Sequence, residues 1–94
     1  MVTGIYRLQL SIPAHSLKEK RHFLSGIIRK IQNKYNVSIA EVEKQDLWQI
    51  AELGIAVISN EEKIVIRIFQ QIANDIEKKG ELEILQVDKE MFYS

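Results

Sequence analysis

The residues best placed to do chemistry are cations. Lys18, Lys20, Arg21, Arg29, Lys30 and Lys34 follow one another with only Glu19 to oppose them. Lysine and arginine at this density suit a nucleic-acid backbone, which they bind by neutralising phosphates and releasing condensed counterions. Lys18 and Arg21 are three residues apart and Lys30 and Lys34 four apart, spacings that put each pair on one side of a helix, where it could straddle phosphates. The same pattern also suits the solvated outer face that amphipathic helices present. Lys18, Lys20 and Arg21 would occupy the first turns of such a helix, where a cation opposes the helix dipole. Their placement therefore calls for an acidic partner or an intramolecular carboxylate.

The remaining reactive groups are sparse. His15 and His22 stand seven residues apart with no second carboxylate at ligand spacing, so they read as capping or surface residues, and neither a metal site nor a catalytic base is expected of them. The absence of cysteine removes thiolate zinc sites, iron–sulfur clusters, disulfides and a cysteine nucleophile together. Trp48, the only tryptophan, lies beside Asp46, where it could anchor a partner or cover the end of the core. Asp46 suits a turn, accepting backbone N–H bonds.

These side chains need elements to hold them. At 94 residues, with 46% hydrophobic and 28% charged residues, the chain is expected to form one domain, residues 1–94, around one core. Thirteen Lys and Arg balance thirteen Asp and Glu, so any attraction to a polyanion must come from local asymmetry. That asymmetry is present: Glu41, Glu43, Asp46 and Glu52 outnumber Lys44, and Glu81, Glu83, Asp88 and Glu90 outnumber Lys89. No export signal or membrane-spanning stretch is recognisable, and a cytoplasmic protein is the expectation.

From Val2 to Ile12 apolar and polar residues alternate, with Val2, Tyr6, Leu8, Leu10 and Ile12 on one face and Ile5 breaking the pattern on the other, which predicts a strand ended by Pro13. Ser16-Leu17-Lys18-Glu19 fits a capping box, and Leu17, Leu24, Ile27, Ile28, Ile31 and Tyr35 carry an apolar stripe to the helix end at Asn36. Val37–Glu43 and Gln49–Ser59 read as a hairpin, with Val37 and Ile39, then Leu53, Ile55 and Val57, facing the core. A second capping box at Ser59-Asn60-Glu61-Glu62 opens a helix with the stripe Ile64, Val65, Ile68, Phe69, Ile72 and Ile76, closed by Lys78-Lys79-Gly80. Leu82 to Val87 suggests a final strand, with Leu85 and Val87 out of phase with Leu82 and Ile84, as a bulge or a two-sided strand would leave them.

The order β-α-β-β-α-β predicts an α+β ferredoxin-like sandwich: a four-stranded antiparallel sheet with two helices on one face. Right-handed crossovers place the first and third strands in the centre. The other sheet face is then uncovered, and Ile5, Ala40, Val42, Ala56 and Ile58, with Arg7 among them, make it unusually apolar for a solvated surface. With Trp48, these are the candidate protein-interface residues.

Several stretches are also familiar. Ser16-Leu17-Lys18-Glu19-Lys20-Arg21, Asn36-Val37-Ser38-Ile39-Ala40-Glu41-Val42, Gln45-Asp46-Leu47-Trp48-Gln49 and Leu53-Gly54-Ile55-Ala56 occur in the order and spacing of the YlxP-like family of small bacterial proteins of unknown function, which the chain resembles over nearly its whole length. The resemblance implies a ferredoxin-like fold. It also implies a role near translation or ribosome assembly, since such proteins are often encoded beside translation initiation and ribosome-binding factors. Many relatives carry an arginine after the Trp-Gln pair, whereas Ile50 stands here, so an anion contact through that arginine would be missing.

The expectation is a non-enzymatic adaptor that meets ribosomal RNA or a ribosomal subunit through Lys18, Lys20, Arg21, Arg29, Lys30 and Lys34, without cofactor, metal or membrane. RNA readers of this fold stack bases on sheet aromatics, and Leu53–Ile58 has none, so contact would be directed at the backbone. The alternative is a module that forms homodimers through the open sheet face or the edge strand Val37–Glu43. A small phosphate hydrolase of the acylphosphatase-like kind shares the topology but needs a glycine-bearing loop after the first strand; Ser11–Ser16 contains no glycine.

Overall fold

The computed structural model describes residues 1–94. Alternation between Val2 and Ser11 produces β1, whose Tyr6, Leu8 and Leu10 are fully buried. The chain continues through α1 (Leu17–Lys34), β2 (Ser38–Glu43), β3 (Ile50–Ser59), α2 (Glu62–Glu77) and β4 (Glu83–Tyr93). The strands form one antiparallel sheet in the order β2-β3-β1-β4, with the first and third strands central as the crossover rule requires. Leu53, Ile55 and Val57 sit across from Leu8, Tyr6 and Gly4, so the core-facing residues of β1 and β3 form one continuous surface.

Both helices pack on that surface. Leu24, Ile27 and Ile31 of α1 and Val65, Ile72 and Ile76 of α2 are buried against it. The Tyr6 ring stacks on Phe69 of α2 at 3.7 Å between centroids and 4° between planes. Gly4 permits the approach of α2 to the sheet, because a Cβ there would lie 2.6 Å from Val65 Cγ1.

The first capping box forms with one change. The Glu19 N–H donates to Ser16 Oγ at 3.1 Å, and Glu19 Oε1 accepts from the His15 N–H at 2.8 Å, one residue before the cap. The second does not form. Ser59 ends β3, paired with Val2, and its hydroxyl accepts weakly from the Glu61 N–H at 3.4 Å; Glu61 caps α2 without a side-chain bond. α2 stops at Glu77, and Gly80, at φ 72°, turns the chain towards β4.

β4 runs to Tyr93, beyond the expected end at Val87. Of the two arrangements its pattern allows, a bulge forms: a register shift opposite Gln9 and Leu10 leaves Leu85 extra. A second bulge in β2 leaves Val42 extra between Glu41 and Glu43, and Val42 leans over Gly54, where a Cβ would meet its Cγ1 at 2.8 Å. Just after β2, Lys44 adopts φ 60°, a rare left-handed conformation for a residue with a Cβ.

Candidate nucleic-acid interface

The cations of α1 divide into three groups by helix geometry. At 100° per residue, Lys18 and Arg29 point away from the stripe of Leu24, Ile27 and Ile31, Arg21 lies on the flank of that stripe next to them, and all three are exposed. From Lys18 to Arg29 this outward row spans about 16 Å at about 1.5 Å per residue. His22 shares the face and is exposed as well.

Lys20 points the other way. It lies four residues before Leu24 and seven before Ile27, on the inward stripe, and is 1% exposed. Its ammonium donates to the carbonyl oxygen of Lys44 at 2.7 Å and to that of Leu47, and it pairs with Glu41 Oε2 at 2.8 Å. Lys20 is therefore an internal tie and not the RNA contact expected from the sequence: it holds the β2–β3 connection onto the start of α1. Glu41, on the core side of β2 across from Leu53, is the intramolecular carboxylate that a cation near a helix N-terminus calls for. The pair explains how the connection keeps the left-handed Lys44, whose carbonyl is one of the bonded oxygens.

Lys30 and Lys34 form the third group, on the flank of α1 that faces α2. They line a groove of about 470 Å³ together with Ile27, Ile31 and Ile76 and with Asp75, Lys78 and Lys79 from the end of α2. Lys34 is partly committed within the protein: its ammonium contacts Asp75 Oδ2 at 2.8 Å, and the Tyr35 hydroxyl donates to the same oxygen. The hydrogen bond from Lys34, followed by that from Tyr35, holds the Asp75 carboxyl below its ordinary value, and the bond to Asp75 raises Lys34 in return. Tyr35 is also raised, first by desolvation and then by its bond to Asp75. The Lys79 ammonium lies 4.9 Å from the centre of the Phe23 ring, an attraction that draws it towards α1. Lys30 and Lys78 remain without a carboxylate partner.

In the sequence Lys78 and Lys79 signal only the end of a helix. Their contribution depends on which flank of α1 the end of α2 meets, and neither periodicity nor capping reports that. The signal for Lys20 was present in its spacing to Leu24, Ile27 and Ile31.

His15 and His22 lie on the surface, and no three His, Asp or Glu side chains converge as metal ligands would. The His15 ring is 6.1 Å from that of Trp48. Of the candidate interface residues, Ile5, Arg7, Ala40, Ala56 and Ile58 share the sheet face away from the helices by register, and Val42 joins them over Gly54. Trp48 does not: it lies in the β2–β3 connection beside His15, part exposed.

Residues 3–89 match a family described as "Protein of unknown function (DUF503)". The chain is 41% identical over 70 residues to "Uncharacterized protein YlxP" of Bacillus subtilis (strain 168), covering 74% of this chain and 76% of that protein. A de novo designed protein with a ferredoxin fold, solved in solution by NMR, superposes over 100% of this chain and 88% of its own with a TM-score of 0.61 at 17% identity. That likeness concerns the fold alone.

Proposed function

The chain belongs to the DUF503 family, whose description assigns no activity, and from the charge of its helical layer we propose that it is a cytoplasmic, non-enzymatic RNA-binding adaptor. Segregated charge carries the reading. Residues 17–34 and 62–79 hold ten Lys and Arg against four Asp and Glu, whereas the rest of the chain holds three against nine. A neutral protein arranged in this way attracts a polyanion to one side and turns it away from the other.

Lys18, Arg21 and Arg29 are the outward contacts, and Lys30 with Lys78 and Lys79 extends the positive surface onto α2; Lys34 contributes with its charge partly balanced by Asp75. The exposed face carries His22 as its one ring and no Phe, Tyr or Trp on which a base could stack. Recognition is therefore of phosphates and helical shape, as a folded ribosomal RNA offers. The test is co-sedimentation with small ribosomal subunits at low and high salt. Lys20 must be left intact in the variant, because its loss would confound binding with folding. Salt-sensitive binding by the parent, lost in Lys18→Glu/Arg21→Glu/Arg29→Glu, is the expected result; equal sedimentation of parent and variant would remove these residues from the interface.

A further inference from the structure

The sheet face opposite the helices has the reverse electrostatic character and an apolar centre. By register, Ile5 lies beside Ala56 and across from Glu90, and Arg7 lies beside Gly54 and across from Asp88. Ile58 and Phe92, both about half exposed, flank Thr3 at one end. At the other end Glu43 and Glu52 sit directly opposite each other on β2 and β3, a like-charge pairing that destabilises a sheet. Glu52 is only 15% exposed, and its Oε2 is buried without a hydrogen-bond partner, the nearest cation being Arg7 at 4.0 Å. Four carboxylates, Glu43 and Glu52 at one end and Asp88 and Glu90 along the β4 edge, thus border an apolar strip and share one arginine.

We infer that this face docks a cationic amphipathic helix of another protein, its apolar stripe lying over Ile5, Ala56, Ile58 and Phe92 and its lysines or arginines meeting Glu43, Glu52, Asp88 and Glu90. Charge complementarity selects this occupant. A second copy presenting the same face would oppose one acid-rich rim to another, which is costly in a desolvated interface. The chain's own exposed cationic row, Lys18, Arg21 and Arg29, carries no apolar stripe with which to cover Ile58 and Phe92. Ala56, beside Ile5, keeps the centre of the face low enough for a helix to approach, Val42 covers Gly54 to one side of it, and the bulge at Val42 blunts the β2 edge against strand addition.

The experiment titrates an 18-residue Leu/Lys amphipathic peptide, and its Leu/Glu counterpart, into the full chain labelled with nitrogen-15. The Leu/Lys peptide is expected to shift amide resonances at Ile5, Ala56, Ile58 and Phe92. Its affinity should exceed that of the Leu/Glu peptide at least tenfold, and Glu52→Gln/Asp88→Asn/Glu90→Gln should remove that preference. Ala56→Arg, which blocks the strip while retaining the acids, should weaken binding as strongly; urea unfolding verifies that both variants are folded. Equal affinity for the two peptides, shifts confined to α1 and α2, or no binding at millimolar peptide would overturn the inference. So would sedimentation showing that the chain dimerises through this face and that Ala56→Arg restores the monomer.

Discussion

Replacing Lys20 by alanine should damage the fold far more than replacing any other cation of α1. The ammonium satisfies the carbonyls of Lys44 and Leu47 and pairs with Glu41, whose side chain is 18% exposed. Removing one member of a buried pair costs about 3–5 kcal/mol, because the other charge is left without a partner. The residual exposure of Glu41 lets water recover part of this, so a loss of about 3 kcal/mol is expected. A domain of 94 residues has about 5–14 kcal/mol in total at about 0.05–0.15 kcal/mol per residue. At about 4–8 °C per kcal/mol for a chain of this size, Lys20→Ala should lower the Tm by about 12–24 °C. Urea unfolding followed by the fluorescence of Trp48, the only tryptophan and part of the tied connection, measures the change. Lys20→Ala/Glu41→Leu should recover part of the loss, since the orphaned carboxylate is gone while the two carbonyls stay unsatisfied. A Lys20→Ala midpoint equivalent to within about 0.5 kcal/mol of the parent, the usual span of surface substitutions, would refute the tie.

Asp75 supplies a pH dependence of known sign. Its folded carboxyl titrates below the ordinary value of 3.8, so its contribution is fully present above that value and is lost as the pH falls through the lower folded one. Urea midpoints at pH 5 and pH 3 should therefore differ less in Asp75→Asn than in the parent, and an unchanged difference would contradict the assignment. Two glycines should respond unequally to alanine. At Gly4 the new Cβ meets Val65 and Tyr6 inside the core and should cost about 1–3 kcal/mol in urea unfolding. At Gly54 it meets the tip of Val42, which is part exposed and can turn aside, so the same assay should show a loss below about 1 kcal/mol.

The fold was legible wherever burial imposes a period. Tyr6, Leu8 and Leu10, and Leu53, Ile55 and Val57, alternate because one face of each central strand meets the helices. β4 beyond Val87 was not legible, because an edge strand contacts the core over part of its length and Asp88-Lys89-Glu90 carries no alternation. The α2 cap departs from the sequence pattern because Ser59 is held by its pairing with Val2 within β3, too early to serve the helix. Of the candidate site, the outward row Lys18, Arg21 and Arg29 follows from spacing alone. The place of Lys20 is hidden by its residue type: a lysine reads as surface until a carboxylate from another strand gives it a place inside. The groove formed with Lys78 and Lys79 depends on how two helix flanks meet, which is a property of packing.

The central claim is that the helical layer binds RNA through its phosphates. It is tested most directly by measuring affinity for a duplex RNA as a function of salt, in the parent and in Lys18→Gln/Arg21→Gln/Arg29→Gln. Each phosphate contact contributes to the slope of log K against log salt, by about 0.9 per contact on B-form DNA and by a similar order here. A steep slope is expected for the parent and one shallower by about two to three for the variant, with little dependence on sequence. Identical slopes, or an affinity that does not change with salt, would contradict it.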